Sequence, residues 1–261
     1  MNWPAALALA FALTTPSVAV ELPPAGGQYD SQLGGAYPPP DGTAIVSRDR
    51  TDPPALGLYN ICYVNAFQTQ PSETAWWQDQ HHDLLLRRAD GTLVEDPNWP
   101  GEIILDTSTS SKRTALAEIV ADWIAGCAKA GYQAIEADNL DTFSRSDDLL
   151  TTADNLAYAA TLIDIAKAHG LAFGQKNGIE LLDAANLPHF DFAIVESCEV
   201  YDECDAYSEA YDRHVLEIEY TDTDPTFFET ACDKRGGTTS IILRDRNLQP
   251  AGSPGYTYRT C

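Results

Sequence analysis

The sequence has few basic residues, and it lacks the short motifs typical of nucleotide sites and serine hydrolases. Lysine and arginine together number 16, against 39 aspartate and glutamate residues, and the formal net charge is −23. A chain this acidic disfavours binding to a nucleic-acid backbone and favours neutral or cationic partners, although the charge alone could serve solubility. No glycine-rich phosphate loop and no G-x-S-x-G motif occur. Nucleotide binding and a serine nucleophile therefore have no support.

Long apolar runs are also scarce. Residues 5–13 form a short apolar run, which the small-x-small pattern Ser17-Val18-Ala19 follows. The run is too short to span a bilayer, and the pattern predicts a secretory signal peptide over residues 1–19, although no Lys or Arg precedes it. We therefore expect a single domain over residues 20–261, secreted to the extracellular space and without a membrane span.

The six cysteines lack metal-site spacing. No C-x-x-C pair exists and the five histidines show no ligand pattern, so we expect no metal and no cofactor. Cysteines in an exported chain favour disulfides. Cys198 and Cys204 could close one loop, while Cys127 lies on the sheet-facing stripe of a helical pattern and Cys62 in a strand-like run. The predicted pairs are Cys198–Cys204, Cys62–Cys127 and Cys232–Cys261.

Strand-like runs alternate with helical patterns along the chain. The clearest helical patterns are Lys112–Ala130 and Thr152–His169, and each is followed by a glycine. Such alternation predicts a parallel sheet with helices outside it, and the length fits the ~250 residues of a single (β/α)8 TIM barrel with disulfide-stapled loops. Nine runs are one more than a barrel needs, and the pattern leaves open which one is peripheral. The runs are Tyr29–Leu33, Thr43–Val46, Tyr59–Val64, Glu102–Asp106, Gln133–Glu136, Ala172–Gln175, Phe192–Glu196, Val215–Tyr220 and Ser240–Leu243.

The stretch Ala134–Asp141, A-I-E-A-D-N-L-D, carries the strongest functional signal. A short apolar approach leads into four polar side chains, at Glu136, Asp138, Asn139 and Asp141. A helix cap needs only one such residue. The pattern is instead typical of a buried strand whose carboxyl end carries functional groups.

Other strand-like runs end in polar residues as well. They are Asp106, Lys176-Asn177, Glu196, Glu219-Tyr220 and Arg244-Asp245. Any one of them could be a cap or a surface charge, but in a parallel barrel all of them would gather around one mouth. Carboxylates with aromatic side chains such as Tyr63 and Trp99 are the minimum that a glycosidase needs, because two carboxylates flank the scissile bond and aromatic faces stack on sugar rings.

These residues resemble glycoside hydrolase family 114, the endo-α-1,4-polygalactosaminidase group. The matching motifs, in chain order, are W-P-G-E-I-I-L-D (99–106), E-A-D-N-L-D (136–141), G-L-A-F-G-Q-K-N (170–177), E-S-C-x5-C (196–204) and I-E-Y (218–220). The resemblance implies a TIM barrel that cleaves α-linked galactosamine-rich polysaccharide, a cationic partner, with Asp138 and Glu196 as catalytic acids. Candidate substrate-binding residues are Tyr63, Asp106, Asn139, Asp141, Lys176, Asn177, Glu219 and Tyr220.

Elementary electrostatics assigns a role to each acid. Lys176, one strand end away, should keep Asp138 ionised as a nucleophile, whereas desolvation should raise the pKa of Glu196 toward that of a general acid. This division of roles predicts a retaining mechanism. The residues leave open a glycosidase for another α-linked glycan, a non-catalytic secreted carbohydrate-binding protein, endo or exo action, and the oligomeric state.

Overall fold

The computed structural model describes residues 20–184 and 187–261. The predicted signal peptide, residues 1–19, lies outside the described residues. Within those two ranges, no helix has both the length and the apolar character needed to cross a bilayer.

Eight parallel strands form a nearly closed barrel, and each pairs with the next strand in the chain. This order confirms the predicted (β/α)8 fold. The strands are β1 (Tyr29–Ser31), β2 (Ile45–Asp49), β3 (Tyr59–Asn65), β4 (Ala134–Asp138), β5 (Ala172–Lys176), β6 (Phe192–Glu196), β7 (Val215–Tyr220) and β8 (Ser240–Arg244), and a ninth, β9 (Tyr258–Thr260), runs antiparallel to β8.

The helices surround this sheet unevenly. In the described chain no α-helix follows β1, β2 or β8, and β5 is followed only by the 3₁₀ turn Ile179–Leu181. Two further 3₁₀ turns cover His82–Leu84 and Thr142–Arg145. The α-helices are α1 (Thr74–Gln80), α2 (Ser110–Ala130), α3 (Thr152–Ala168), α4 (Cys198–Tyr201), α5 (Cys204–Tyr211) and α6 (Thr226–Arg235).

The two long helices confirm the predicted patterns, although α2 begins two residues earlier and α3 ends one residue earlier than predicted. Gly131 ends α2 in the left-handed region, at φ 99°, where a residue without a side chain is favoured. At the start of α3, the Thr151 side chain accepts a hydrogen bond from the Asp154 amide and the Asp154 carboxylate accepts one from the Thr151 amide. This capping box satisfies backbone groups that the first turn leaves free.

The seam between β1 and β8 is closed by side chains. The strand order places no hydrogen-bonded ladder between these two strands. Instead, Arg244 of β8 donates to Asp30 of β1 at 2.8 Å, and both side chains are fully buried. The Tyr258 hydroxyl of β9 donates to the Tyr29 carbonyl oxygen at 2.9 Å. The barrel therefore depends on residues far apart in sequence for its closure.

The peripheral run of the nine is Glu102–Asp106. Its residues form isolated antiparallel bridges with Gln68, Leu85 and Glu95 and join no barrel strand. Asp106 consequently does not lie at a barrel strand end. Its carboxylate pairs with Lys112 in the first turn of α2 and accepts from the Ser108 amide at 3.0 Å.

The barrel interior is apolar below its mouth. All eight strands contribute apolar side chains to it, including Ile45, Ile61, Phe192 and Ile242. Gly174 of β5 faces Phe192, and a Cβ at this glycine would lie 2.8 Å from the aromatic ring. The glycine thus provides the space that the large ring occupies.

All three predicted disulfides are present. Their Cα–Cα separations are 6.1 Å for Cys62–Cys127, 4.9 Å for Cys198–Cys204 and 5.5 Å for Cys232–Cys261. The first joins β3 to α2, the second joins α4 to α5, and the third fixes the segment after β9 to α6. The prediction of stapled loops is therefore confirmed, with the first bond tying a barrel strand to a helix.

Candidate active site

Alternation along the strands decides which side chains enter the mouth of the barrel. On β4, Ala134 belongs to the interior cluster while Ile135 and Ala137 pack against the helices. Because side chains alternate along a strand, Glu136 and Asp138 share the inward face with Ala134. The same parity turns Glu196 of β6 inward.

A single buried cation lies between three carboxylates at the mouth. The Lys176 ammonium donates to Glu136 Oε1 at 2.8 Å, and it lies 3.8 Å from Asp138 Oδ1 and 3.6 Å from Glu196 Oε2. Lys176 is 3% exposed and Glu136 is fully buried. Because both oxygens are measured from the same nitrogen, Asp138 Oδ1 and Glu196 Oε2 can be at most about 7.4 Å apart. The predicted pair is therefore brought together.

Hydrogen bonds fix the orientation of Asp138. Its Oδ2 accepts from the Tyr63 hydroxyl at 2.8 Å, and its Oδ1 accepts from the Asn139 amide at 2.8 Å. The Asn139 side chain in turn donates to Asn65 at 3.1 Å and accepts from Arg145 at 2.7 Å. Asp138 is thus held on two sides in the absence of any substrate contact.

Glu196 is held even more tightly. Asn177 donates to its Oε2 at 2.8 Å and accepts from its backbone amide at 2.8 Å, which forms a two-way clamp. The Tyr220 hydroxyl donates to Oε1. The Arg246 guanidinium lies 3.8 Å from the centre of the Tyr220 ring. These contacts leave Glu196 with little conformational freedom.

Three residues at the mouth have left-handed backbone conformations. Asn139, Asn177 and Ser197 have φ values of 59°, 50° and 56°, and each immediately follows an inward strand end. Non-glycine residues in this region are uncommon and cluster at functional sites. The turn reverses the chain at once, so that these three loops leave the cavity open.

The pKa of Glu196 differs from the expectation. Burial raises it, as predicted, but Lys176, Tyr220 and Asn177 together outweigh burial and hold the pKa below its usual range. The prediction of a raised pKa is therefore wrong for the ligand-free site, because the sequence did not place Lys176 beside Glu196. Despite burial, the three carboxylates raise the pKa of Lys176 well above its ordinary value, and the ammonium stays charged.

A cavity of about 1010 Å³ opens above these groups. Its wall includes exposed aromatic side chains, with Trp99 49% exposed and Tyr201 67% exposed. Eight carboxylates face three basic side chains in its lining, which comprises Asp49, Asp96, Glu102, Asp138, Asp141, Glu180, Glu196 and Glu203 opposite Arg145, Lys176 and Arg246. Of the eight predicted substrate-binding residues, six line the cavity: Tyr63, Asn139, Asp141, Lys176, Asn177 and Tyr220.

Asp106 and Glu219 do not reach the cavity. Asp106 lies in the peripheral run described above. Glu219 points outward from β7, because Leu216, Ile218 and Tyr220 take the inward face. It is fully buried, and its Oε1 accepts from the Glu199 amide at 3.0 Å. Burial raises its pKa to about 7. The prediction that these two carboxylates bind substrate has no geometric support.

Among the charged residues at or below the mouth to which sequence reasoning assigned no role, four make the contacts used below. Glu136 lies two positions before Asp138, and this spacing alone could have placed both on one face of the strand. Glu102 lines the cavity from the peripheral run, where no barrel strand marks it. Arg145 and Arg246 lie in loops, beyond the reach of strand-end patterns. Arg145 pairs with Asp141 at 2.7 Å.

A family model for glycoside-hydrolase family GH114 matches residues 10–261. The chain belongs to this family. The GH114 assignment makes the protein a glycoside hydrolase, so the alternative of a non-catalytic binding protein is set aside. No match was found among curated protein sequences.

Solved structures agree with the fold of this GH114 protein. A crystal structure of Aspergillus fumigatus Ega3 in complex with galactosamine has 21% sequence identity and a TM-score of 0.68, over 97% of this chain and 99% of that one. The glycoside hydrolase domain of PelA from Pseudomonas aeruginosa has 16% identity and a TM-score of 0.56, over 87% and 97% of the two chains. At these identities the likeness establishes the barrel fold.

Proposed function

We propose that this GH114 hydrolase cleaves α-1,4-linked galactosamine-rich polysaccharide with Asp138 and Glu196 as its catalytic carboxyl groups. The observation that carries the proposal is their shared contact with Lys176, which limits the two nearest oxygens to about 7.4 Å. Retaining glycosidases have carboxyl groups ~5–5.5 Å apart and inverting ones ~6.5–9.5 Å. The limit excludes only the longer part of the inverting range, and the retaining mechanism is part of the proposal that the experiment below tests.

In this mechanism Asp138 attacks the anomeric carbon and Glu196 protonates the leaving oxygen. Tyr63 and the Asn139 amide orient Asp138 for attack. Glu196 must gain a proton, which its pKa in the ligand-free site opposes. Substrate that fills the cavity removes water from Glu196, and burial already has the largest single influence on this carboxyl group. Further desolvation raises its pKa in the complex.

The excess of acids in the cavity supports an amine-bearing substrate. Glu102 shows this best, because its Oε2 accepts from Asn65 at 3.0 Å and from Gln68 at 2.7 Å, and it takes part in none of the salt bridges among the described residues. Burial raises its pKa. A protonated amine of a galactosaminyl unit would supply the missing positive charge, while Trp99 and Tyr201 offer faces for neighbouring rings. The Ega3 structure, with bound galactosamine, is consistent with this substrate class.

Product analysis tests this proposal directly. The mature protein is incubated with α-1,4-linked polygalactosamine, its fully N-acetylated form and an unrelated α-glucan, and the products are identified by mass spectrometry. We expect oligosaccharides from the deacetylated polymer, and proton NMR in the first minutes should show that the new reducing end keeps the α-anomer. Turnover of the α-glucan alone would overturn the substrate, and a β-anomer would overturn the retaining mechanism.

We further propose that the protein acts outside the cell after removal of residues 1–19. Three disulfides with no free cysteine in the described chain favour an oxidising compartment. The test is amino-terminal sequencing of the protein recovered from culture medium. A mature chain that begins near Val20 supports the proposal, whereas retention of the intact chain inside the cell would contradict it.

A further inference from the structure

Glu136 is a buried acid that the two-carboxylate mechanism does not use. It lies one inward position below Asp138 on β4 and is fully buried. The Ser47 hydroxyl of β2 donates to its Oε2, and the Lys176 ammonium of β5 donates to its Oε1 at 2.8 Å. Both oxygens are therefore occupied by protein groups, and Glu136 lies beneath the cavity lining without joining it.

The contact with Glu136 determines where the Lys176 charge lies. At 3.8 Å from Asp138 and 3.6 Å from Glu196, the ammonium is beyond ordinary hydrogen-bond distance of both acids above it. Its short contact points downward, away from the cavity. The Tyr63 ring, whose centre is 5.9 Å from the ammonium, is a further neighbour. A lysine without this lower partner would be free to move onto one of the two upper carboxylates.

Such a move would harm a mechanism in which one carboxylate is the nucleophile and the other acts first as an acid and then as a base. A nucleophile bound directly to an ammonium is stabilised in its ground state, and an acid bound to one cannot keep its proton. We propose that Glu136 is a positioning residue, which retains the Lys176 ammonium below and between Asp138 and Glu196 so that neither acid captures it. This inference rests on the proposed catalytic pair.

Other charged and titratable groups near Lys176 come from every neighbouring strand. They are Tyr29 of β1, Tyr63 of β3, Asp138 of β4, Glu196 of β6 and Tyr220 of β7, with Arg246 acting on Glu196 from the loop after β8. The tyrosines remain neutral, because burial raises their pKa values well above the ordinary range. Arg246 is tied to Asp222 by a 2.8 Å contact. Lys176 is therefore the cation that a change at Glu136 would release.

The substitution Glu136→Gln tests the proposal. It keeps the shape and removes the charge, so that Lys176 shifts toward the catalytic pair and the pKa of Glu196 falls. We expect kcat to fall at least about tenfold and the alkaline limb of the kcat/KM profile, which reports the general acid, to move down by about one pH unit or more. A double variant, Glu136→Gln with Lys176→Met, leaves no buried charge at this position, and its alkaline limb should move up instead.

Glu217→Gln is the matched control. Glu217 is an equally buried strand carboxylate with a cation partner, Arg235, at 3.0 Å, but it faces away from the cavity. This variant should be less stable and keep both limbs of the profile in place. If the limbs also stay in place for Glu136→Gln and for the double variant, whatever the loss of activity, Glu136 is only structural and the proposal is overturned. If Glu136→Gln does not fold, Glu136→Asp, which keeps the charge and withdraws the carboxylate by one methylene, replaces it, and a limb that stays in place then overturns the proposal.

A titration without substrate separates this inference from the proposed function. Carboxyl ¹³C chemical shifts of the substrate-free protein report the ionisation of Glu196 directly. Glu136→Gln should lower the pKa of Glu196 even if no polymer in the screen is cleaved, so failure of the substrate assignment leaves this result intact. An unchanged Glu196 titration would overturn the positioning role.

Discussion

The barrel contains two clusters in which one buried cation lies among several carboxylates, and they differ in how many short contacts that cation makes. On the outer face of β7, Arg235 binds Glu199 at 2.6 Å and Glu217 at 3.0 Å. On the inner face, Lys176 makes one short contact, with Glu136, and leaves two carboxylates beyond 3.5 Å. The planar guanidinium can satisfy two acids at once, whereas the ammonium acts as a point charge.

The difference separates a structural cluster from a reactive one. Around Arg235, which belongs to α6, Glu199 of α4 and Glu217 of β7 each accept a hydrogen bond from the guanidinium, so the cluster ties both helices to the barrel. Around Lys176, the upper side is open to the cavity, and the ammonium makes no short contact with Asp138 or Glu196. The residues at the mouth therefore remain available for chemistry, and the predictions below test whether the two clusters divide stability and catalysis in this way.

The largest effect should come from the catalytic pair. Glu196→Gln removes the proton donor while keeping the Asn177 clamp, and we expect kcat to fall by about 10²–10⁴-fold. Asp138→Asn should cost at least as much, because no nucleophile remains. Steady-state release of reducing ends measures the loss, and calorimetric titration should show that polymer still binds. Glu219→Gln, on the outer face of the same barrel end, is the control and should keep its kcat. Near-normal turnover in either catalytic variant would remove that residue from the mechanism.

Arg235→Met should affect stability and leave the chemistry intact. The change leaves the buried Glu217 without its cation, while Glu199 keeps its contact with Lys234, and removing one partner of a buried pair costs about 3–5 kcal/mol. Urea unfolding gives the free energy of unfolding, and kcat is measured under conditions where the variant is folded. A large loss of kcat in the folded variant would mean that the outer cluster also supports catalysis.

Glu219 should contribute a smaller effect, on how the free energy of unfolding depends on pH. Its folded pKa, about 7, lies above the ordinary value, so the folded protein binds more protons than the unfolded chain between these two values. Stability should therefore fall as pH rises from about 4.5 to 7, by at least about 1 kcal/mol, since one pKa unit corresponds to ~1.4 kcal/mol. Glu219→Gln should remove this part of the slope in urea unfolding at several pH values. An identical slope in wild type and variant would contradict the assignment.

Ionic strength should give the smallest effect. If the carboxylate surplus of the cavity attracts a cationic polymer, kcat/KM on deacetylated substrate should fall severalfold as salt rises from 0.01 to 0.15 M, since the screening length shortens from ~30 Å to ~8 Å. The N-acetylated polymer, measured in parallel, should respond much less. Glu102→Gln should weaken the response to salt on the deacetylated polymer. Equal salt responses for both polymers would mean that the acidic residues serve solubility.

Much of the fold could be predicted because its signals are local. The glycine after each long helical pattern marks where that helix ends, and the strand–helix alternation predicts a parallel barrel. The pairing of Cys62 with Cys127 followed from a helical stripe and a strand-like run. What failed was the run Glu102–Asp106, which has strand-like composition but pairs antiparallel outside the barrel.

The candidate site could be predicted only in part. For a strand that is buried on both sides, the sequence does not show which side chains point into the barrel and which point toward the helices. Glu219 and Tyr220 are adjacent, and one points outward while the other points inward. Leu216–Tyr220 alternates apolar and acidic residues, but both faces of β7 are buried, so the alternation does not show which set of side chains enters the barrel. The contact between Lys176 and Glu196 joins two strands through their register, which sequence patterns do not specify, and the wrong expectation for the Glu196 pKa has the same cause.

The side-chain seam between β1 and β8 sets the order in which this chain can complete its fold. Arg244 and Tyr258 belong to the late part of the chain, yet both bind residues of β1, and the Cys232–Cys261 bond fixes the segment after β9 to α6. A growing chain can pair β2 through β7 in succession, but it has no means of closing the cylinder until these late residues have emerged. The cylinder can thus close only after β8 and β9 have been made, and the bond that ties Cys261 to α6 forms only on oxidation.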